Sequence, residues 1–296
     1  MQLEYTARFA DLGVTFQDFI VHELYDQWQW KIDPYLTPDA AFPFRHITVK
    51  RSRPARSVAT AGLLLLRQET SGFFRRQVFR NSNGGTLWQF LRSQGNTVCL
   101  QYAVSPDWRE ITLLCDNTKT AGLVAFEYLG QMFPACALTF GLLTFHGVLM
   151  EYEGHGVIIS APSGTGKTTH ARLWRDYKHA LIINGDRAAC RKADGVWTGS
   201  GLPWSGTSGE QINRSVPVTA LVVLERGEQN EAHCVTGSEA FGAVLPHVQC
   251  PVWDAELTDK AMELMDDFLS EVPVIRLCCR PDAESVSVLL KALEEL

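Results

Sequence analysis

Several features that would assign this chain of 296 residues to a simple class are missing from it. The start, MQLEYTARF, has neither a cationic segment nor an apolar run, so it does not predict a signal peptide. None of the eight cysteines forms a C-x-x-C pair, and the chain is not a short secreted one. We therefore expect reduced, mostly buried thiols in a cytoplasmic protein. There is no internal repeat and no low-complexity segment, and a hydrophobic share of 46% with 20% charged residues is ordinary for a globular protein.

One uncharged run approaches the length that crosses a membrane. It occupies residues 128–145, YLGQMFPACALTFGLLTF. Pro134 breaks its middle, Gln131 is polar, and Glu127 and His146 stand at its ends. This pattern favours a buried helix followed by a strand over a membrane span.

Charge is divided unevenly along the chain. Residues 1–120 carry 14 Lys and Arg against 11 Asp and Glu, whereas the remainder carries 13 against 22. This asymmetry indicates that the two parts do different things. A cationic cluster in the first part could bind an acidic partner such as a peptide, or could simply be solvated; the small net charge and the lack of a nucleic-acid motif argue against nucleic acid. The cluster consists of Arg45, His46, Lys50, Arg51, Arg53, Arg56, Arg75, Arg76 and Arg80.

The pattern of apolar residues and turns predicts an α/β protein with two domains. Residues 1–120 predict a β-rich N-terminal domain, with hairpin turns at Asn81–Gly85 and Ser105–Trp108, that could bind the substrate or a partner. Residues 121–143 predict a helix bent or interrupted at Pro134. From Thr144 onward strands alternate with helices, so we expect 121–296 to form an α/β domain.

The segment Ser160–Ala171, SAPSGTGKTTHA, is the most informative part of the sequence. An apolar strand before it and an amphipathic helix after it are the setting of a P-loop, in which glycines let successive amides surround a phosphate. Ala161 replaces the first glycine of the strict pattern, which is tolerable if its φ is negative. The segment predicts ATP binding with Mg²⁺, and Lys167 would reach the β- and γ-phosphates. The predicted cofactor-binding residues are Ser163, Gly164, Thr165, Gly166, Lys167, Thr168 and Thr169.

A carboxylate for the metal follows at the end of the next apolar segment. Residues 180–186, ALIINGD, predict a buried strand that ends in Asp186. A strand-terminal aspartate soon after a P-loop is typical of a Walker B carboxylate. Thr168 and Asp186 are therefore the predicted Mg²⁺ ligands.

At several separated motifs the chain resembles the bacterial HPr kinase/phosphorylase family. His146 in an H-G-x-x segment lies one strand before the loop, and SGTGKTT at 163–169 is also similar to the P-loop of ATP-dependent phosphoenolpyruvate carboxykinase. HPr-kinase-like proteins of clostridia and kinases that modify ribosomally made peptides are more similar still. The resemblance covers about residues 140–290, and its motifs are Ser160–Thr168, Ile183–Ala188 and Gly201–Gly209.

The resemblance implies a P-loop core of HPr kinase/carboxykinase type and a set of catalytic residues, namely His146, Lys167 and Asp186. His146 would lie near the transferred phosphoryl group. HPr kinases carry two adjacent aspartates where this chain has Gly185 and Asp186. Either Asp186 serves both roles or another group, such as His146, activates the acceptor.

Three further features are candidates for the same site. The small-residue segment 199–209 could form a loop over the phosphates or the acceptor. Arg187 and Arg214 could each stabilise charge on the transferred group. Glu225 could be a second carboxylate at the sheet edge or a plain surface residue.

The function expected from these observations is transfer of the γ-phosphoryl of ATP to a Ser or Thr hydroxyl of a protein or peptide. A small-molecule kinase or carboxykinase-like enzyme is one alternative, and a nucleotide-binding module that transfers nothing is another. We expect no membrane partner, and an oligomer is compatible with the resemblance.

Overall fold

The computed structural model describes residues 4–19, 29–38, 45–71, 74–116 and 121–296, and the chain forms two compact units. The first unit comprises Met1–Phe140 with Val252–Ala255, and the second comprises Gly141–Pro251 with Glu256–Leu296. The boundary expected from the sequence, after residue 120, precedes the helix that the structure includes in the first unit.

The first unit is built on one mixed sheet. Its described strands run in the order β1-β2-β3-β8-β7-β6-β5-β4, antiparallel except where β3 lies parallel to β2 and to β8. Both hairpins expected from the sequence are present, and the first turn closes through a hydrogen bond from the Asn81 N–H to the Gly85 carbonyl. The strands are β1 (Glu4–Phe9), β2 (Leu12–Gln17), β3 (His46–Arg51), β4 (Leu64–Ser71), β5 (Phe74–Arg80), β6 (Thr86–Arg92), β7 (Val98–Val104) and β8 (Glu110–Asp116).

Helix α1 (Ala121–Thr139) packs on this sheet with aromatic side chains. The ring of Phe133 meets Phe9 at a centroid distance of 5.8 Å, and the ring of Tyr128 meets Phe90 at 4.0 Å. The helix continues through Pro134, and it is shorter than the expected 121–143 because Gly141, with φ 77°, turns the chain toward the next strand. The uncharged run at 128–145 is therefore a core helix and a strand, and no described helix is long and apolar enough to cross a membrane.

The second unit has a sheet in the order β10-β9-β12-β13-β14-β16-β15, with β11 paired to β9. Strand β10 also pairs with β14 in parallel, as β14 does with β16. The strands are β9 (Leu143–Tyr152), β10 (His155–Ser160), β11 (Leu181–Asn184), β12 (Arg187–Ala193), β13 (Val196–Ser200), β14 (Ser215–Arg226), β15 (Glu231–Val235) and β16 (Val274–Cys279). The helices are α2 (Lys167–Lys178), α3 (Gly237–Val244), α4 (Ala255–Glu271) and α5 (Ala283–Glu294).

Helices cover both faces of this second sheet. On one face, buried residues of α2 and α5 such as Trp174 and Leu289 join Val148 and Ile159 of the sheet in a single apolar core. On the other face, Phe268 of α4 stacks near Phe145, with ring centroids 4.9 Å apart. The protein is thus a mixed α/β structure with two large sheets. All eight cysteines are free thiols, five of them buried.

Candidate functional site

The glycine-rich loop, residues 161–166, connects β10 to α2 as the sequence predicts. Gly164 and Gly166 adopt φ values of 78° and 127°, which favour glycine, whereas Ala161 is fully buried and has no positive φ. Gly166 caps α2 without a side-chain hydrogen bond. Because the first amides of a helix have no partner within it, the N–H groups at the start of α2 are available to an anion.

Lys167 lies at the centre of this arrangement. Its Nζ donates to the backbone oxygen of Ala161 at 2.8 Å and lies 3.3 Å from Nε2 of His146. The side chain is 8% exposed, and burial lowers the pKa of Lys167 while the charge of Asp186 raises it. An ammonium held by one carbonyl and one imidazole can turn to a stronger acceptor, such as a phosphate oxygen, at little cost.

His146 and Asp186 lie side by side where strands β9 and β12 pair. Nδ1 of His146 is 3.5 Å from Oδ1 of Asp186. Burial lowers the pKa of His146, Asp186 raises it, and Lys167 and Arg187 lower it further, so the imidazole is neutral near pH 7. Since the Lys167 ammonium can only donate, Nε2 of His146 is the acceptor and Nδ1 carries the proton toward Asp186.

Neither oxygen of the Asp186 carboxylate accepts a hydrogen bond from the two side chains beside it. Its Oδ1 faces His146 at 3.5 Å and its Oδ2 faces Nε of Arg187 at 3.6 Å, both beyond hydrogen-bond distance. In the described parts of the chain, no three His, Cys, Asp or Glu side chains converge on a metal position. Mg²⁺ needs only one or two protein oxygens when phosphates supply others, so Asp186 with Thr168 fits that ion.

The small-residue segment lies against this carboxylate. A Cβ on Gly206 would come within 2.7 Å of Cγ of Asp186, and Gly206 itself has φ 57°. A Cβ on Gly185 would come within 2.1 Å of Oγ of Ser208. The 205–209 loop therefore leaves no space for a side chain at residue 185.

The other sequence candidates fall into two groups. Arg187 is half-buried beside Asp186, so it belongs to the site. Arg214 binds both oxygens of the Glu151 carboxylate and Glu225 binds Arg276, so these two side chains are engaged in surface ion pairs.

Two arginines that sequence reasoning missed line a cavity of about 420 Å³ beside the loop. Arg226, at the end of β14, donates through Nε to the Thr165 carbonyl at 3.1 Å and through Nη2 to the Gly164 carbonyl, so it fixes the loop. Arg280 is held by Asp282 and Glu284 at another edge of the cavity. In the sequence, the only indication for Arg226 was its position as a basic residue at the end of a long apolar strand. Nothing in the sequence indicated Arg280.

His170, on α2, is a buried histidine at the back of the same cavity. Trp174 Nε1 donates to its Nε2 at 3.2 Å, and Ser285 Oγ, whose own proton goes to the Asp282 carbonyl, lies 3.3 Å from its Nδ1. Only the neutral ring with the proton on Nδ1 satisfies all three contacts. Burial accordingly lowers the pKa of His170 to about 4.

A further histidine, His247, was also missed. It ends a short 3-10 helix, Leu245–His247, that β9 holds through a bridge between Phe145 and Val248. It is buried, and burial lowers its pKa, helped by the charge of Lys167. Nothing in the sequence around residue 247 indicated this proximity.

The comparisons with known proteins differ in reach. No curated protein matches the sequence. Among solved structures, the chain is similar to one described as the structure of the Hpr(Ser) kinase/phosphatase from Coxiella burnetii, with 12% identity and a TM-score of 0.31. The match covers 51% of this chain and 96% of that chain. A likeness of this size is too slight to carry an argument, so the resemblance drawn from the motifs stays a prediction.

A family model described as SynChlorMet cassette protein ScmC matches residues 113–266. The matched range contains β9, the glycine-rich loop, α2, Asp186 and the loop at 205–209. It covers just over half of the chain. The chain therefore belongs to the ScmC family of SynChlorMet cassette proteins.

Proposed function

We propose that the second unit binds ATP with Mg²⁺ at the glycine-rich loop and transfers the γ-phosphoryl group to a Ser or Thr hydroxyl of a protein or peptide. One observation carries the proposal: the ammonium of Lys167, the first residue of α2, lies 3.3 Å from Nε2 of His146, and Nδ1 of His146 lies 3.5 Å from the Asp186 carboxylate. These are the groups that a phosphate chain and its metal require.

Binding would use the groups already described. The loop amides and the Lys167 ammonium would neutralise the phosphates, and Thr168 and Asp186 would hold Mg²⁺, which shields the charge on the transferred group. The cavity of about 420 Å³ between the loop, Arg226 and Arg280 adjoins the phosphate position and is large enough for a nucleoside.

Transfer would proceed by attack of the acceptor oxygen on the γ-phosphorus while the bond to the β-phosphate oxygen breaks and ADP leaves. A group with a free lone pair must take the proton of the acceptor hydroxyl. In the geometry described, Nε2 of His146 accepts from Lys167 and its Nδ1 carries a proton, so His146 would have a free lone pair only after Lys167 had turned to the phosphates. Asp186 has oxygens without hydrogen bonds, so we assign it both the proton and the metal, with His146 as its positioning residue.

The test is transfer of label from γ-labelled ATP into an extract of the source cells. Lys167→Ala should abolish ATP binding and labelling, whereas Lys178→Ala, at the far end of the same helix, should preserve both. Asp186→Asn should still bind ATP but lose transfer by about 10²–10⁴-fold. The matched control is Asp194→Asn, in the exposed turn between β12 and β13.

The possible outcomes separate the candidate functions. A labelled protein or peptide that Asp186→Asn fails to label supports the kinase. A labelled small molecule instead favours the small-molecule or carboxykinase-like alternative. ATP binding without any labelled product favours a nucleotide-binding module, and labelling by Lys167→Ala at the wild-type rate refutes the proposed site.

A further inference from the structure

A row of glutamine side chains crosses the sheet of the first unit. Gln68, Gln77, Gln89 and Gln101 pair in register on neighbouring strands β4 to β7. Each amide donates to the next: Gln101 to Gln89 at 2.7 Å, Gln89 to Gln77 at 3.2 Å and Gln77 to Gln68 at 2.6 Å. We refer to these four residues as the glutamine row.

One end of the glutamine row already binds a backbone segment that belongs to no strand, at residues 57 and 58. Oε1 of Gln101 accepts from the N–H of Val58, and Nε2 of Gln101 donates to the carbonyl oxygen of Val58, both at 2.8 Å. The hydroxyl of Ser57 donates to the same Oε1 at 3.1 Å. The Gln101 amide thus replaces a neighbouring strand, because it satisfies both main-chain groups of one residue as a β partner would.

The next two amides of the glutamine row retain donors that no side chain or backbone group of the described residues uses. A primary amide has two N–H donors, and Gln89 and Gln77 each donate one within the row. Both line a cavity of about 540 Å³ that opens beside Val58, within the size range of ligand sites. Gln89 is only 5% exposed, and a buried amide with an unused donor is costly unless a partner comes to it.

A positive charge also lines this cavity, on Arg75, which lies two residues before Gln77 on β5. Arg75 binds the side chain of Asn96 at 2.6 Å and the Gly95 carbonyl through Nη2 alone. Its buried Nε has no acceptor within the part of the chain that the structure describes. A guanidinium with donors left over pairs most strongly with a carboxylate, which it can bind through two hydrogen bonds.

We propose that this cavity binds an extended peptide segment that carries an acidic side chain. The amides of Gln89 and Gln77 would bind its backbone as Gln101 binds Val58, and Arg75 would bind its carboxylate. The inference does not depend on phosphoryl transfer, because every contact that carries it lies in the first unit.

The experiment titrates the full-length protein with two capped pentapeptides, Thr-Val-Glu-Val-Thr and Thr-Val-Lys-Val-Thr, and follows binding by NMR. The Glu peptide should shift the side-chain amide resonances of Gln77 and Gln89. The Lys peptide should bind about tenfold more weakly, since one ion pair is replaced by repulsion. Arg75→Glu should reverse this preference.

A matched pair of variants separates binding from folding. Gln77→Leu and Gln68→Leu both remove the hydrogen bond between these two residues, but only Gln77 lines the cavity. Gln77→Leu should therefore weaken the Glu peptide while Gln68→Leu leaves it unchanged. Equal binding of the two peptides, no saturation by either at millimolar concentration, or shifts that spare Gln77 and Gln89 would each overturn the proposal.

Discussion

Replacing Gly185 by alanine should destabilise the second unit because of one contact. A Cβ at this position would come within 2.1 Å of Oγ and 2.6 Å of Cβ of Ser208. That hydroxyl donates to the Ser205 carbonyl at 2.6 Å and accepts from the Glu210 amide at 3.2 Å. Ser208 cannot move aside without losing both hydrogen bonds.

The loss in the free energy of unfolding caused by Gly185→Ala follows from competing contributions. Two lost hydrogen bonds cost about 1 kcal/mol each, and forcing a methyl group into a packed contact costs about 1–3 kcal/mol. Alanine also restricts the unfolded chain, which stabilises the fold by about 0.4–1 kcal/mol. The φ of Gly185 is not positive, so backbone strain adds nothing. We expect a net loss of about 2–4 kcal/mol in the free energy of unfolding.

The measurement should report on this region alone, because a chain of two compact units need not unfold in one step. Urea titration followed by hydrogen-exchange mass spectrometry of a peptide covering residues 181–212 meets that need. Ser208→Gly is the matched partner, since it opens the space at the expense of the two hydrogen bonds. The double variant should be about as stable as Ser208→Gly alone, with a coupling energy above about 1 kcal/mol. Additive losses, or wild-type stability of Gly185→Ala, would refute the reasoning.

Three further predictions use other contacts of the second unit. Because the folded pKa of His170, about 4, lies below its unfolded value, the unfolded state binds more protons in acid. The free energy of unfolding should therefore fall by up to about 3 kcal/mol as the pH falls from about 6.5 to 4. Urea titrations of His170→Asn should show a smaller loss. Arg226→Gln should release the glycine-rich loop and raise the Kd for ATP about tenfold in a calorimetric titration, and an unchanged Kd would contradict its role. Gly206→Ala should displace Asp186 and reduce phosphoryl transfer. Gly209→Ala should not, because Gly209 has a similar φ of 69° but open space around it. Equal losses in the two variants would mean that backbone strain alone is responsible.

The sequence predicted those parts of the structure that depend on neighbouring residues. The strand before the glycine-rich loop, the helix after it and both hairpins of the first unit are present, because turn residues and apolar periodicity act over short distances. Strand β12 was missed, since the segment RAACRKA carries no clear alternation. Its pairing with β9 brings His146 beside Asp186, and no local pattern could indicate that register.

Contacts between distant segments account for the rest of what the sequence missed. Arg226 reaches the loop because β14 lies parallel to β10, and His247 reaches the site through a bridge to β9. Both positions depend on strand order, which a single sequence does not reveal. The nucleotide, the metal and the acceptor remain proposals that rest on the chemistry of the groups brought together.

The two oxygens of the Asp186 carboxylate have different surroundings. Ser208 leaves no space for a side chain at residue 185, so in the proposed reaction the metal and the acceptor proton would both fall to Asp186. Its Oδ1 faces a proton on His146, and its Oδ2 faces the guanidinium of Arg187. Two oxygens in such different surroundings could serve a metal and an acceptor hydroxyl separately. His146→Gln would then lower the rate of transfer more than the affinity for Mg²⁺. Equal losses of both would indicate that a single oxygen of Asp186 serves both the metal and the acceptor hydroxyl.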